Sequence, residues 1–189
     1  YDDSWDPITD GYGFSLVLAD EQAPLDTWND PAQWRRSGRL GGSPGAADLP
    51  LPIAPIVINE IHTHTIAPDV DAIELHNPTS EAVDIGEWYL TDDRDVPAKY
   101  RIPAGTVIPS AGYLVLDATQ FGSSQGAEPG FGLSSLGEEV FLFSADASGQ
   151  ITGHRDGFGF GAAGSGDTFG RHTNSVGDLQ FPIQRRSTL

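Results

Sequence analysis

Glu60, His62 and His64 recur at every second position, which places them on one face of an extended strand. With His76 on the strand expected to pair with that one, imidazole and carboxylate could together hold a divalent transition metal. The competing reading is a set of solvated histidines at a strand end, where the apolar pattern gives out. Two acidic runs, Asp69-Val-Asp71 and Asp92-Asp93-Arg94-Asp95, fall in expected loops and could offer hard oxygen ligands to calcium. Neither completes the pattern of alternating carboxylates closed by a Gly and a distant bidentate Glu. The alternative is a solvated acidic surface, and a calcium-insensitive protein is expected. Asp2, Asp3 and Asp6 add a third acidic patch.

Other chemistry is poorly represented. The five histidines supply no further dyad by spacing. Gly157-Phe-Gly-Phe-Gly-Ala-Ala-Gly-Ser-Gly166 is followed by Asp-Thr-Phe and not by Lys-Ser at a helix start, so it is no phosphate loop. It reads instead as a mobile or tightly turning surface loop carrying Phe158 and Phe160. No Gly-Xaa-Ser-Xaa-Gly elbow follows a strand and opens a helix. The absence of cysteine removes disulfides, thiolate-bound zinc and thiol catalysis together. Twenty-seven acidic residues stand against 10 basic ones, a net charge of -17, which argues against nucleic acid and against an anionic membrane surface. No apolar run approaches the ~18 residues of a membrane span. An enzyme is not expected, nor any cofactor unless calcium binds.

The elements that would position these residues are short and β-rich. Ile56 to Ile61, Ala72 to His76, Trp88 to Thr91, Tyr100 to Ile102, Tyr113 to Leu116, Val140 to Phe143, Gln150 to Thr152 and Phe169 to Thr173 are β-branched or aromatic runs punctuated by Gly, Pro, Asp and Ser. No window carries a capped apolar stripe at helical spacing, so little helix is expected. Strict alternation from Ile56 puts Ile58 and Glu60 on one face and Val57, Asn59 and Ile61 on the other. The fold expected is all-β, a sandwich of about 7–10 strands held by Ile58, Ile61, Ile73, Leu75, Trp88, Leu90, Leu114, Leu116, Phe141 and Phe143. Glu74 and Asn77 precede a turn and suit hydrogen bonding to loop amides better than ligand binding.

The blocks Ile56-Val-Ile-Asn-Glu-Ile61, Asp71-Ala-Ile-Glu-Leu-His-Asn-Pro78, Val83-Asp-Ile-Gly-Glu-Trp-Tyr-Leu-Thr-Asp92 and Ile108-Pro-Ser-Ala-Gly-Tyr-Leu-Val-Leu116 follow one another in fixed order. In that order they resemble the lamin tail domain, an immunoglobulin-like β-sandwich found at the end of nuclear lamins and, in a bacterial form, in large exported proteins. The resemblance runs from about Pro55 to the C-terminus and implies attachment or interaction rather than a reaction. Gly11-Tyr-Gly-Phe-Ser-Leu-Val-Leu18 with Trp34-Arg-Arg-Ser37 looks like the closing part of another such unit, echoed by Gly166 to Arg171 with Gln184 to Ser187.

The organisation expected is therefore residues 1–37 as the end of a preceding unit, 38–54 as a Gly/Pro-rich spacer, and 55–189 as a lamin tail domain. The spacer could instead pack along the sandwich, with Leu49, Leu51 and Ile53 sealing a sheet edge. The lack of Met and of a signal-peptide pattern points to an internal piece of a longer polypeptide. The function expected is a non-catalytic interaction or structural module of an exported or cell-surface bacterial protein, its partners other domains of that polypeptide or other proteins. The alternative is a carbohydrate- or calcium-binding domain, with Trp5, Tyr12, Phe158 and Phe160 as a platform.

Overall fold

A computed structural model describes residues 5–123 and 130–185. Its strands, in chain order, are β1 (Leu16–Leu18), β2 (Trp34–Arg36), β3 (Val57–His62), β4 (Ala72–His76), β5 (Val83–Asp84), β6 (Tyr89–Thr91), β7 (Tyr100–Arg101), β8 (Val107–Ile108) and β9 (Tyr113–Asp117). The one-turn helix α1 (Ala118–Phe121) follows, then β10 (Glu138–Ala145), β11 (Ile151–Phe160), β12 (Thr168–Gly170), β13 (His172–Thr173), β14 (Leu179–Gln180) and β15 (Ile183–Gln184). The α1 turn is closed by a capping box in which the Asp117 side chain accepts from the Thr119 amide and Gln120 reaches back to the Asp117 amide.

Two antiparallel sheets form an immunoglobulin-like sandwich. One runs in the order β15-β12-β3-β4-β9 and the other β11-β10-β6-β7, nine strands in all and within the expected 7–10. Short ribbons β1-β2, β5-β8 and β13-β14 lie outside them. Between the sheets sit Ile56, Ile58, Ile61, Ile73, Leu75, Trp88, Leu90 and Leu116, each fully or almost fully removed from water.

Simple alternation fails at one place in β3. Ile58 pairs with Leu75 and Glu60 pairs with Glu74, so Asn59 is an extra residue, a β-bulge. The bulge reverses the faces beyond it. Ile61 consequently joins Ile56 and Ile58 in the core, and Glu60 turns to the outer face. A strict period of two had separated Ile61 from Ile58.

Strand β10 departs from expectation differently. Val140 and Leu142 enter the inter-sheet core, whereas Phe141 and Phe143 point the other way. There they meet Tyr89 and Ala145 of the same sheet and Ile8 and Phe14 of the N-terminal segment, forming a second apolar cluster. The sheet thus has apolar side chains on both faces, a pattern that fixes a strand as buried without saying which residue faces which core. Leu114 is only partly buried at the margin.

The glycine-rich stretch is also not a loop at its start. Residues 157–160 lie inside the ten-residue strand β11, with Gly157 opposite Phe141 and Phe158 opposite Val140. A Cβ at Gly157 would overlap the Phe141 ring and the Val140 carbonyl oxygen, so the aromatic ring occupies the space that a side chain would need.

Residues 38–54 are tied to their surroundings. Asp48 accepts from Arg35 (2.6 Å), from the Gly38 amide (2.9 Å) and from Ser43 (2.9 Å). The Arg35 hydrogen bond holds the Asp48 carboxyl below the ordinary carboxylate range. Ile53 and Ala54 pack on the main core, while Leu49 and Leu51 stay exposed.

Candidate functional site

The candidate metal residues occupy the outer face of the five-stranded sheet and its rim. Glu60 lies opposite Glu74, whose carboxylate accepts from the Asn59 side-chain Nδ2 at 2.7 Å. His62 lies opposite Ala72, and His76 sits at the far end of β4 opposite Val57, stacked on Tyr113 at 4.4 Å. β3 ends at His62, so His64 leaves the ladder and its Nδ1 bonds the Ala163 carbonyl oxygen at 2.8 Å. Among the described residues no group of three or more His, Asp or Glu side chains is placed to hold a metal ion.

The acidic loop residues are likewise dispersed. Asp71 accepts from the Thr65 hydroxyl (2.9 Å), and Asp92 pairs with Lys99 (2.6 Å). Asp93 accepts the Asp95 amide in an Asx turn, and Asp69 is exposed. Asp6 pairs with Arg36 at 3.3 Å, while Asp2 and Asp3 lie outside the described residues, as do Arg186 and Ser187 of the expected repeat.

Loop bracing falls to Asn77. It donates to the carbonyl oxygens of Glu81, Ile108 and Pro109 and accepts from the amide and hydroxyl of Thr79. Five bonds to one buried amide fix the turn between β4 and β5 to the turn after β8.

Of the aromatic platform, Phe158 is buried and stacks on Phe181 at 3.5 Å, and Phe160 packs against Phe169 at 5.4 Å. Trp5 leans on Trp34 (6.2 Å) and Tyr12 on Phe143 (5.1 Å), both half-exposed. Beside Tyr12 two adjoining clefts of about 660 and about 490 Å3 open between the segment before β1, the loop after β6, and β11. Asp10, Gly11, Tyr12 and Asp95 line both.

Two groups that sequence reasoning did not single out tie the sheets together. Asp156 on β11 accepts the Ile58 amide at 2.7 Å and the Arg171 guanidinium at 2.6 Å, and Arg171 Nε donates to the Ile58 carbonyl oxygen. This latch satisfies the Ile58 N–H and C=O beside the bulge. Asp156 and Ile58 are 98 residues apart, so no local pattern signals the contact. Replacing Asp156 by Ala strands a partly buried guanidinium and an amide. A loss of about 2 kcal/mol is expected in urea melts, with Asp156→Asn intermediate; equal midpoints for Asp156→Ala and the parent would remove the latch from the stability of the fold.

His154, next on the same strand but one, bonds the Ile56 carbonyl oxygen through Nε2 at 2.7 Å. Burial lowers its pKa from the ordinary 6.5; the Ile56 hydrogen bond and Asp156 oppose that, and Arg36 adds to it. A depressed folded pKa means that the native state holds the neutral ring. The corresponding stability is complete above about pH 6.5 and declines as pH falls from there toward the folded value. Thermal melts between about pH 7.5 and about pH 5.5, above the carboxylate range, should show that decline in the parent and a flatter profile in His154→Gln; parallel profiles would assign the slope to other groups.

The all-β sandwich agrees with one known family, whose model, the lamin tail domain, matches residues 51–157. The chain belongs to the lamin tail domain family. The match begins ahead of β3 and ends within β11, so β12 and β15 complete the five-stranded sheet of this lamin tail domain beyond the matched residues. A comparison with curated proteins returns no significant match. As an immunoglobulin-like module, a lamin tail domain is compatible with a structural or interaction role without catalysis. Among the described residues no helix is long and apolar enough to cross a membrane.

Proposed function

We propose that this lamin tail domain is a non-catalytic interaction module of a larger exported or cell-surface protein of bacterial type, serving to space or anchor neighbouring units. The observation that carries this reading is the second apolar cluster: Ile8 and Phe14, from a segment preceding the domain, are docked on the outside of the four-stranded sheet through Tyr89, Phe141 and Phe143. A sheet that presents an aromatic face to the chain ahead of it is suited to stacking one unit on the next. Residues 1–37 are read as the end of such a preceding unit, and residues 38–54, clamped by Asp48, as the join. The net charge of -17 supports solubility outside the cell and disfavours nucleic acid as a partner.

Protease treatment of intact producing cells tests the placement. Peptides from this chain should be released without lysis, and release only after lysis would overturn an exported location. Excising the module from its parent should reduce surface retention, and retention unchanged by the excision would overturn the anchoring role.

A further inference from the structure

We propose that the double cleft beside Tyr12 is a binding site for a neutral saccharide. It goes beyond a spacing or anchoring role, because it gives the module a ligand of its own.

The lining decides the ligand class. Asp10 and Asp95 border both clefts, and both are exposed. Arg155 borders the smaller cleft, its guanidinium 4.4 Å from the Phe141 ring centre and 5.8 Å from that of Tyr12, with no ion pair among the described residues. Leu40, Pro97 and Ile151 form the apolar wall of the larger one. The loop is held in place from both sides: the Tyr12 hydroxyl donates to the Arg94 carbonyl oxygen at 2.6 Å, and Arg94 pairs with Glu139. Gly11 and Gly41 leave the shoulders open, since a Cβ at either would meet nothing within 4 Å.

Carboxylate acceptors, guanidinium donors and an aromatic floor meet in one place. An anion is opposed by two carboxylates and by the charge of the whole chain. In the smaller cleft an organic cation is opposed by the Arg155 guanidinium. A neutral ligand carrying many hydroxyls matches both, because each hydroxyl can donate to an Asp and accept from an Arg, while the C–H face of the sugar ring lies on Tyr12. Both volumes fall within the ~300–1,000 Å3 usual for small-ligand clefts.

The test is titration of the full chain with an array of neutral oligosaccharides built on hexose, pentose and N-acetylhexosamine backbones, alongside a lysine peptide and a sulfated oligosaccharide. Amide resonances of Gly11, Gly13 and Gly41 report the location. At least one neutral oligosaccharide should bind at millimolar concentration or below and shift those amides. Asp10→Asn combined with Asp95→Asn should weaken it at least about tenfold with an unchanged melt, since both side chains are exposed. Tighter binding of the lysine peptide or the sulfated probe would overturn the assignment, as would full binding by the double variant or no amide shifts across the array.

Discussion

Deletion of residues 1–50 is expected to leave a folded sandwich that is destabilised and prone to associate. Ile8 and Phe14 are 1% and 5% exposed, and burying two side chains of that size contributes roughly 3–6 kcal/mol in total, an upper estimate because unfolded chains are not fully extended. The loss is a large share of the ~5–15 kcal/mol that holds a domain together. It also uncovers Tyr89, Phe141 and Phe143 at once, an aromatic patch of the kind that soluble monomers avoid. Urea melts and sedimentation of residues 51–189 beside the full chain would show a lower midpoint and concentration-dependent association. If the truncated protein melts with the parent and stays monomeric, the docked segment contributes nothing and the stacking role falls with it.

Truncating Trp88 to Ala should cost about 3–5 kcal/mol. The ring is 6% exposed in the inter-sheet core, and its backbone carries the turn into β6 and β7 through Trp88 N–H to the Ile85 oxygen and Ile102 N–H to the Trp88 oxygen. Those main-chain bonds survive the substitution, so the loss is one of packing. The ring also lies 5.8 Å from that of His154, and the cavity left behind would admit water to the imidazole and relax its depressed pKa. A melt unchanged by Trp88→Ala would remove the residue from the core.

The parts of the fold that were legible in the sequence are those with a local cause. Ile73 and Leu75 alternate with residues of the other face, Trp88 sits among apolar neighbours, and turn residues separate the strands. Phe141 and Phe143 were read correctly as buried but assigned to the wrong core, because four consecutive apolar residues carry no sign of which face is which. The Asn59 bulge was invisible for a related reason: an inserted residue changes the period without changing composition, and only the partner strand reveals it. The glycines at 157 and 159 suggested a loop, yet both lie within β11, and the space at Gly157 is filled by the Phe141 ring of the neighbouring strand.

The candidate sites show the same division. His62, His64 and His76 satisfy a spacing rule, but β3 ends at His62 and the register sends His76 to the opposite end of β4. The Tyr12 clefts and the Asp156 latch join residues from distant parts of the chain and have no sequence signature.

The docked N-terminal segment bears on the order of synthesis. Val140-Phe-Leu-Phe143 is an uncharged, β-prone run with no solvent-facing position, the composition that pairs with other chains when left open. A chain grows from its N-terminus, and domains fold in that direction as they emerge. Ile8 and Phe14 are therefore already outside the ribosome when β10 appears, so the cover for its outer face precedes the strand that needs it, and Glu138 and Glu139 arrive just ahead of the run as charged gatekeepers.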